Sequence, residues 1–214
     1  MKAIVIGSTG ATGLELIKEL LKDENFTEIK TFSRNSLEIK HQKLTEYLID
    51  FNQIHNHKDE ITGDVLFSAL GTTKKDAGSK EAQYKIDYTY QYEFAKLASN
   101  NGIGNYILVS SVGANEKSAL FYPKMKGALE QAVKKLDFKN IHIFQPPMLI
   151  RQANKIRKVE KNGIAIINKL NAVGLFKSQK PMLVSLLANK MIKVLKSDST
   201  SNVNTYLPHN IFNL

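Results

Sequence analysis

Cysteine is absent from the 214 residues, which removes disulfides, thiolate catalysis and cysteine-based metal sites together. No stretch approaches the roughly 18 consecutive apolar residues that a membrane helix needs. Met1-Lys2-Ala3 leads straight into a short strand-like run, without the long apolar core of a secretion signal. The expectation is a soluble, cytoplasmic protein with no membrane partner. Histidine is sparse and scattered (His41, His55, His57, His142, His209), and His55-x-His57 lies in a polar loop with no third ligand near it in sequence, so no metal site is expected. Repeats, low-complexity tracts and obvious linkers are also missing.

Acidic residues are scarce in one segment. From Arg151 to Lys196 eleven lysines and arginines face a single acid, Glu160, so this segment holds the whole formal excess of +10. Phe176 is the only aromatic ring there, and a base-stacking surface needs several interleaved with its charges. The segment therefore reads as an electropositive rim beside an anionic cofactor or substrate, or as a solvated basic face, and no nucleic-acid partner is expected.

What the chain does have is alternation. Apolar runs of strand length near Lys2–Ile6, Glu28–Ser33, Leu44–Ile49, Asp64–Ser68, Asn105–Val109 and His142–Gln145, with a weak one near Thr205–Leu207, are separated by segments of helical period. The helical segments are Thr12–Lys22, Tyr84–Asn100, Lys124–Leu136 and Leu183–Leu195. This pattern predicts an α/β fold, a doubly wound and mostly parallel sheet of strand order 3-2-1-4-5-6-7. The length suits a single domain, 1–214, and the irregular stretch within 151–181 is the expected substrate-side insertion.

The first strand runs into Gly7, Ser8, Thr9, Gly10, Ala11, Thr12 and Gly13, a Gly-x-x-Gly-x-x-Gly turn opening the first helix. Such a turn lets backbone approach a pyrophosphate at a helix N-terminus, and the hydroxyls add donors. At the end of the second strand, where an NAD site usually carries an acid, the chain has Ser33 and Arg34. A hydroxyl and a guanidinium suit a 2′-phosphate, which favours NADP over NAD; the alternative is an exposed arginine that touches nothing. Asp50 and Phe51 can flank an adenine, and Ala69, Leu70 and Gly71 can let the backbone pass close to the middle of the cofactor.

Further on, Ser110 and Ser111 end a buried strand, and Tyr122 is followed four residues later by Lys126. On a helix this spacing puts phenol and ammonium on one face, a turn apart. A neighbouring ammonium favours the phenolate and lowers a pKa that is ordinarily about 10, and a serine hydroxyl beside them can fix a substrate carbonyl. Asp87 reads as structural or as part of a relay. Tyr84, Tyr88, Tyr90 and Tyr92 read as packing and surface residues, and Lys74, Lys75 and Lys80 as a solvated loop or a cap over the cofactor.

Together the segments "GSTGATG", "SALGTTKKDAG", "KIDYTYQYEFAKLASNNGIGNYILVSSVGA", "YPKMKGALE" and "FQPPMLI" resemble the short-chain dehydrogenase/reductase superfamily. The likeness is to its atypical, epimerase-like branch and to the Tat-interacting-protein group of small oxidoreductases with their bacterial relatives. It runs from Met1 to about Leu149 and is looser beyond Arg151. It implies a Rossmann sheet binding NADP(H), with Tyr122 as acid/base, Lys126 tuning it and binding the nicotinamide ribose, and Ser111 orienting the substrate. Ser110 is the alternative serine. It also implies that Pro146, Pro147 and Met148 lie beside the nicotinamide, although the usual Pro-Gly has lost its glycine here.

The reading is then an NADP-dependent oxidoreductase acting on a small carbonyl or alcohol, as a monomer or small homo-oligomer. An NADP(H)-binding sensor or interaction protein is the second reading. A sugar-nucleotide epimerase or dehydratase is the third, set back by the limited length left for a substrate lobe.

Overall fold

Strands that will be buried on both faces must be apolar throughout rather than alternating, and that is how the central runs are written. In the computed structural model, which describes residues 1–151, 180–196 and 201–214, β1 (Lys2–Ile6), β4 (Val65–Ser68) and β5 (Asn105–Val109) sit at the middle of a seven-stranded sheet. β2 (Glu28–Ser33) and β3 (Leu44–Leu48) extend it on one side, and β6 (Asn140–Phe144) and β9 (Val203–Tyr206) on the other. The order is β3-β2-β1-β4-β5-β6-β9 and every neighbouring pair is parallel. This is the doubly wound sheet expected.

Each face of the sheet is covered by helices. α1 (Ala11–Lys22) and α6 (Val184–Lys193) pack on one face, over Val5, Ile29, Phe67 and Phe144. α4 (Gln91–Asn100) and α5 (Phe121–Val133) cover the other, over Ile4, Ile6, Leu66 and Leu108. The chain leaves β1 for one edge and returns through β4 toward the other, so the carboxyl ends of β1 and β4 form the switch point where ligands of such sheets bind. Among the described residues no helix is long and apolar enough to cross a membrane.

Several elements depart from the sequence pattern in ways that bear on the site. The single helix expected over Tyr84–Asn100 is interrupted. A short α2 (Lys74–Ala77) and α3 (Lys80–Tyr84) are followed by a π-helical turn, Lys85–Tyr90, before α4. The wide turn carries Asp87 inward, where it is buried. α5 begins at Phe121 rather than Lys124, so Tyr122 and Pro123 lie in its first turn. β6 starts two residues early, which leaves Gln145 beyond its end. A short parallel pair, β7 (Leu149–Ile150) with β8 (Met182–Leu183), folds back near the switch point. Of the expected 151–181 insertion, residues 152–179 lie outside the described residues.

The turn after β1 is fixed by sterics. Gly7 adopts φ +77°, and its carbonyl accepts a 3.0 Å hydrogen bond from the Gly10 N–H. A Cβ on Gly7 would stand 2.4 Å from the Ala69 carbonyl carbon and the Leu70 nitrogen, and one on Gly13 would stand 2.2 Å from the Gly7 carbonyl oxygen. A Cβ on Gly10 would meet only the Gly7 oxygen, at 3.2 Å. Gly13→Ala is therefore expected to destabilise the protein by about 1–3 kcal/mol in urea unfolding, and Gly10→Ala by clearly less. Equal losses at the two positions would contradict this packing.

Candidate active site

A cleft of about 390 Å³ opens above the switch point, lined by several parts of the chain, Asp87 of the π-helical turn among them. Gly10, Ala11 and Thr12 come from the turn into α1. Ala69, Leu70 and Gly71 follow β4, with Thr72, Thr73 and Asp76 beyond them. Val109 and Ser110 end β5. Tyr122 and Lys126 project from α5, and Leu149, Arg151 and Val184 close one side from the β7–β8 pair.

The glycine end is shaped for an anion. α1 begins at an N-cap, Gly10, that donates no side chain to the helix, and its first turn contains no acid. The first N–H groups of a helix have no intrahelical partner and carry the positive end of its dipole. Gly7 and Gly13, where a Cβ would strike backbone, let the turn pack closely behind the Gly10–Thr12 backbone that lines the cleft. These residues fit the pyrophosphate of a dinucleotide. At the adenosine end, Ser33 is buried and donates its hydroxyl to the Asn35 carbonyl at 2.7 Å, while Arg34 is exposed. None of Ser33, Arg34, Asp50 and Phe51 is among the residues that line the cleft. The Asp50 carboxylate accepts from the Asn52 N–H at 2.9 Å as the cap of a 3₁₀ turn, Phe51–His57, and the Phe51 ring packs in the core 5.4 Å from Tyr90.

The α5 side of the cleft is built around a buried ammonium. Lys126 is 3% exposed and its Nζ lies 3.4 Å from Oδ1 of Asp87, itself 1% exposed. The Thr72 N–H donates to the other Asp87 oxygen at 2.9 Å. Burial raises the Asp87 carboxyl above its ordinary range, against the pull of the Lys126 charge and of the Thr72 hydrogen bond. Tyr122, one turn before Lys126 on α5, is 40% exposed at the mouth of the cleft. Lys80, in α3, stands 5.6 Å over the neighbouring Phe121 ring.

The two serines separate at the strand end, where successive side chains point to opposite sides. Ser110 lines the cleft. The Ser111 hydroxyl is instead buried away from the cleft lining, without a hydrogen-bond partner among the described residues. Of the two serines expected here, Ser110 and not Ser111 lines the cleft. Behind Ser110 lies a residue that the sequence reading passed over, Glu130, 3% exposed. Its Oε1 accepts a very short hydrogen bond from the Ser110 hydroxyl, and both its oxygens accept from Gln145 Nε2 at 3.0 Å. The signal was present: Tyr122, Lys126 and Glu130 are spaced at i, i+4 and i+8, and the last two are charges on a helix face that otherwise buries Met125, Leu129 and Val133.

Pro146, Pro147 and Met148 also fall short of the cleft. The prolines are buried, Pro146 accepts from the Val112 N–H at 3.1 Å, and Met148 is turned outward, so the chain reaches the cleft only at Leu149. The basic segment divides in the same way. Arg151 lines the cleft, whereas on the far side Lys196 pairs with Asp23 at 3.1 Å and Lys193 bonds the Leu214 carbonyl. Tyr84, Tyr88 and Tyr92 stack in series on one helical face. No cluster of metal-binding side chains occurs among the described residues.

Residues 7–141 match the NAD(P)H-binding family, which covers more than half of the chain. The chain belongs to that family. It is 39% identical over 157 residues to "Protein FMP52, mitochondrial" of Debaryomyces hansenii, covering 72% of this chain and 70% of that one. To "Protein FMP52-1, mitochondrial" of Scheffersomyces stipitis it is 33% identical over 186 residues, covering 82% and 79%. Among solved structures, the UDP-N-acetylglucosamine 4-epimerase of Methanobrevibacter ruminantium M1 superposes with a TM-score of 0.71 over 96% of this chain and 76% of that one. At 15% identity that likeness shows the fold alone. The fold is that of the short-chain dehydrogenase/reductase and epimerase superfamily. The expected cytoplasmic location does not stand, because these relatives are named as mitochondrial proteins.

Removing the acid from the buried pair would strand an ammonium in the interior. Asp87→Ala is expected to cost about 3–5 kcal/mol in urea unfolding, several times the cost of Asp87→Asn, which keeps an oxygen for Lys126 and Thr72. Indistinguishable losses would mean that Lys126 finds another partner.

Proposed function

We propose that the protein is an NADP-dependent oxidoreductase acting on a small carbonyl or alcohol. The observation that carries this reading is the convergence of a phenol, a buried ammonium and a serine hydroxyl on the same cleft as the glycine turn. Bound across the switch point, a nicotinamide cofactor supplies or takes up hydride. The chain's own residues do the rest. The backbone of Gly10–Thr12 and the start of α1 would hold the pyrophosphate, with Ala69–Gly71 under the middle of the molecule. Arg34 would meet a 2′-phosphate. Lys126, fixed by Asp87, is placed to bind a ribose hydroxyl beside Tyr122. Tyr122 would hand a proton to the substrate oxygen as an alkoxide develops there, or take it back in the reverse direction, and Ser110 would hold that oxygen in place. The FMP52 relatives' mitochondrial names support no particular substrate.

A sensor or interaction role that binds NADP(H) with little turnover is the second reading. The Asp87 carboxylate 3.4 Å from Lys126 favours it, since the buried ammonium already has a structural partner.

Tyr122→Phe separates the two. As an enzyme the variant binds NADPH as the wild type does but loses about 10²–10⁴-fold in kcat, followed as NADPH oxidation across a panel of quinones, aldehydes and ketones. Unchanged turnover would remove the acid role, and no turnover by the wild type on any member would favour the sensor. Arg34→Asp is expected to weaken NADPH binding about tenfold or more by calorimetry and to leave NADH binding nearly unchanged. Equal effects on both nucleotides would remove the 2′-phosphate assignment.

A further inference from the structure

A serine hydroxyl has one proton to give. The Ser110 hydroxyl donates to Oε1 of Glu130, behind it and away from the cleft, in a hydrogen bond between two buried groups. In that arrangement the Ser110 oxygen faces the cleft with lone pairs only. It can accept from an alcohol O–H but has nothing to donate to a carbonyl oxygen. The Gln145 amide donates to both Glu130 oxygens, sharing Oε1 with Ser110 and holding Oε2 alone.

Adding one proton to Glu130 from solvent reverses the pair. The carboxylic acid then donates to the Ser110 oxygen, the serine proton is released from the carboxylate, and it turns into the cleft as a donor. Gln145 keeps its acceptor on the remaining carboxyl oxygen. We propose that Glu130 is a positioning residue whose protonation decides whether Ser110 faces the substrate as hydrogen-bond acceptor or donor, and so whether the site is set for an alcohol or for a carbonyl. The consequence for turnover rests on the oxidoreductase reading, while the switch itself rests only on the three hydrogen bonds.

The charges around Glu130 allow both states. Lys126 and Lys134, on the same helix, favour the carboxylate. From the π-helical turn Asp87 faces Lys126 and offsets much of its charge. Just beyond the ends of β5 and β6, Ser110 and Gln145 meet it as neutral partners, and Tyr106 of β5 packs in the same core as α5. Close to α5, the loop that carries Glu116 packs through its backbone against Gly127, where a Cβ would stand 2.2 Å from the Glu116 nitrogen. Burial outweighs the favourable contacts and raises the Glu130 carboxyl above its ordinary range. The acid form therefore persists to higher pH than for an exposed glutamate, and the donor state of Ser110 lies on the acidic side of the transition.

The test is a pH titration of the NADP-loaded protein, from about pH 5 to about pH 9, followed by the infrared band of protonated carboxyl groups. Wild type, Glu130→Gln and Ser110→Ala are compared after thermal unfolding has shown that each is folded. The expected result is a buried carboxyl that titrates in the wild type, is missing in Glu130→Gln, and titrates about one pH unit higher in Ser110→Ala, which has lost the donor that stabilises the carboxylate. A band that Ser110→Ala leaves unmoved would overturn the proposal, and that variant decides the matter even if Glu130→Gln does not fold. In turnover, with 9,10-phenanthrenequinone as the carbonyl probe, wild-type kcat/KM falls as pH rises through the same midpoint. Glu130→Gln, whose amide can donate to Ser110 at any pH, loses that fall and keeps the acid-side rate within about threefold. A pH profile unchanged in Glu130→Gln would also overturn it. No turnover by any of the proteins would count against the oxidoreductase reading, and the infrared result would still decide the switch.

Discussion

The ion pair between Lys126 and Asp87 is the interaction on which the architecture of the site hangs. An ammonium 3% exposed cannot remain charged without a partner, and the chain provides one by widening a helix into a π turn so that Asp87 points inward. π turns of this kind cluster at functional sites because the extra residue re-aims a side chain. The same carboxylate takes the Thr72 N–H, which ties down the loop after β4. A Cβ on Gly71 would lie 3.2 Å from Asp87 Oδ1, so that loop must stay close. One buried charge thus fixes α5, the π turn and the floor of the cleft relative to one another.

The second constraint is the close approach of backbones at the switch point. Gly7 packs against the Ala69–Leu70 peptide and Gly13 against the Gly7 carbonyl, and the Ala69 N–H completes the ladder to the Ile6 carbonyl at 3.0 Å. These contacts aim the uncapped start of α1 into the cleft from one side while α5 enters from the other. Gly127 repeats the device on α5, letting the loop after Ser111 lie against the helix between Lys126 and Glu130. The start of α1 and the polar face of α5 meet at one cleft because glycine was placed where any side chain would have held the elements apart.

Sequence carried much of this. β1, β2 and β5 begin and end where their apolar runs do, since strands buried on both faces leave no register to choose. The glycine turn and the Tyr122–Lys126 spacing were legible for a similar reason, as both are local patterns with one steric or helical meaning. What could not be read depended on contacts between distant segments. Phe51 follows the third strand, where an adenine contact is a fair expectation, but its ring finds Tyr90 and the core. Choosing between Ser110 and Ser111 required knowing which side of the strand end faces the cleft. Glu130 looked like one more charge on a helix until β5 and β6 brought Ser110 and Gln145 to it.

Two buried carboxylates flank one buried lysine, and the imbalance has a physical consequence. If both acids were ionised, the floor of the cleft would carry a net negative charge in a medium that screens poorly, directly beneath the place where the proposed reaction would develop an alkoxide. Burial raises both carboxyl groups, and only Asp87 has the ammonium within ion-pair distance. The proton that neutralises the floor therefore resides most readily on Glu130, whose hydrogen-bond partners are both neutral. With that proton in place the floor is neutral overall and Ser110 is free to donate. The charge that would oppose an alkoxide and the hydrogen bond that would stabilise it are thus governed by the same titration.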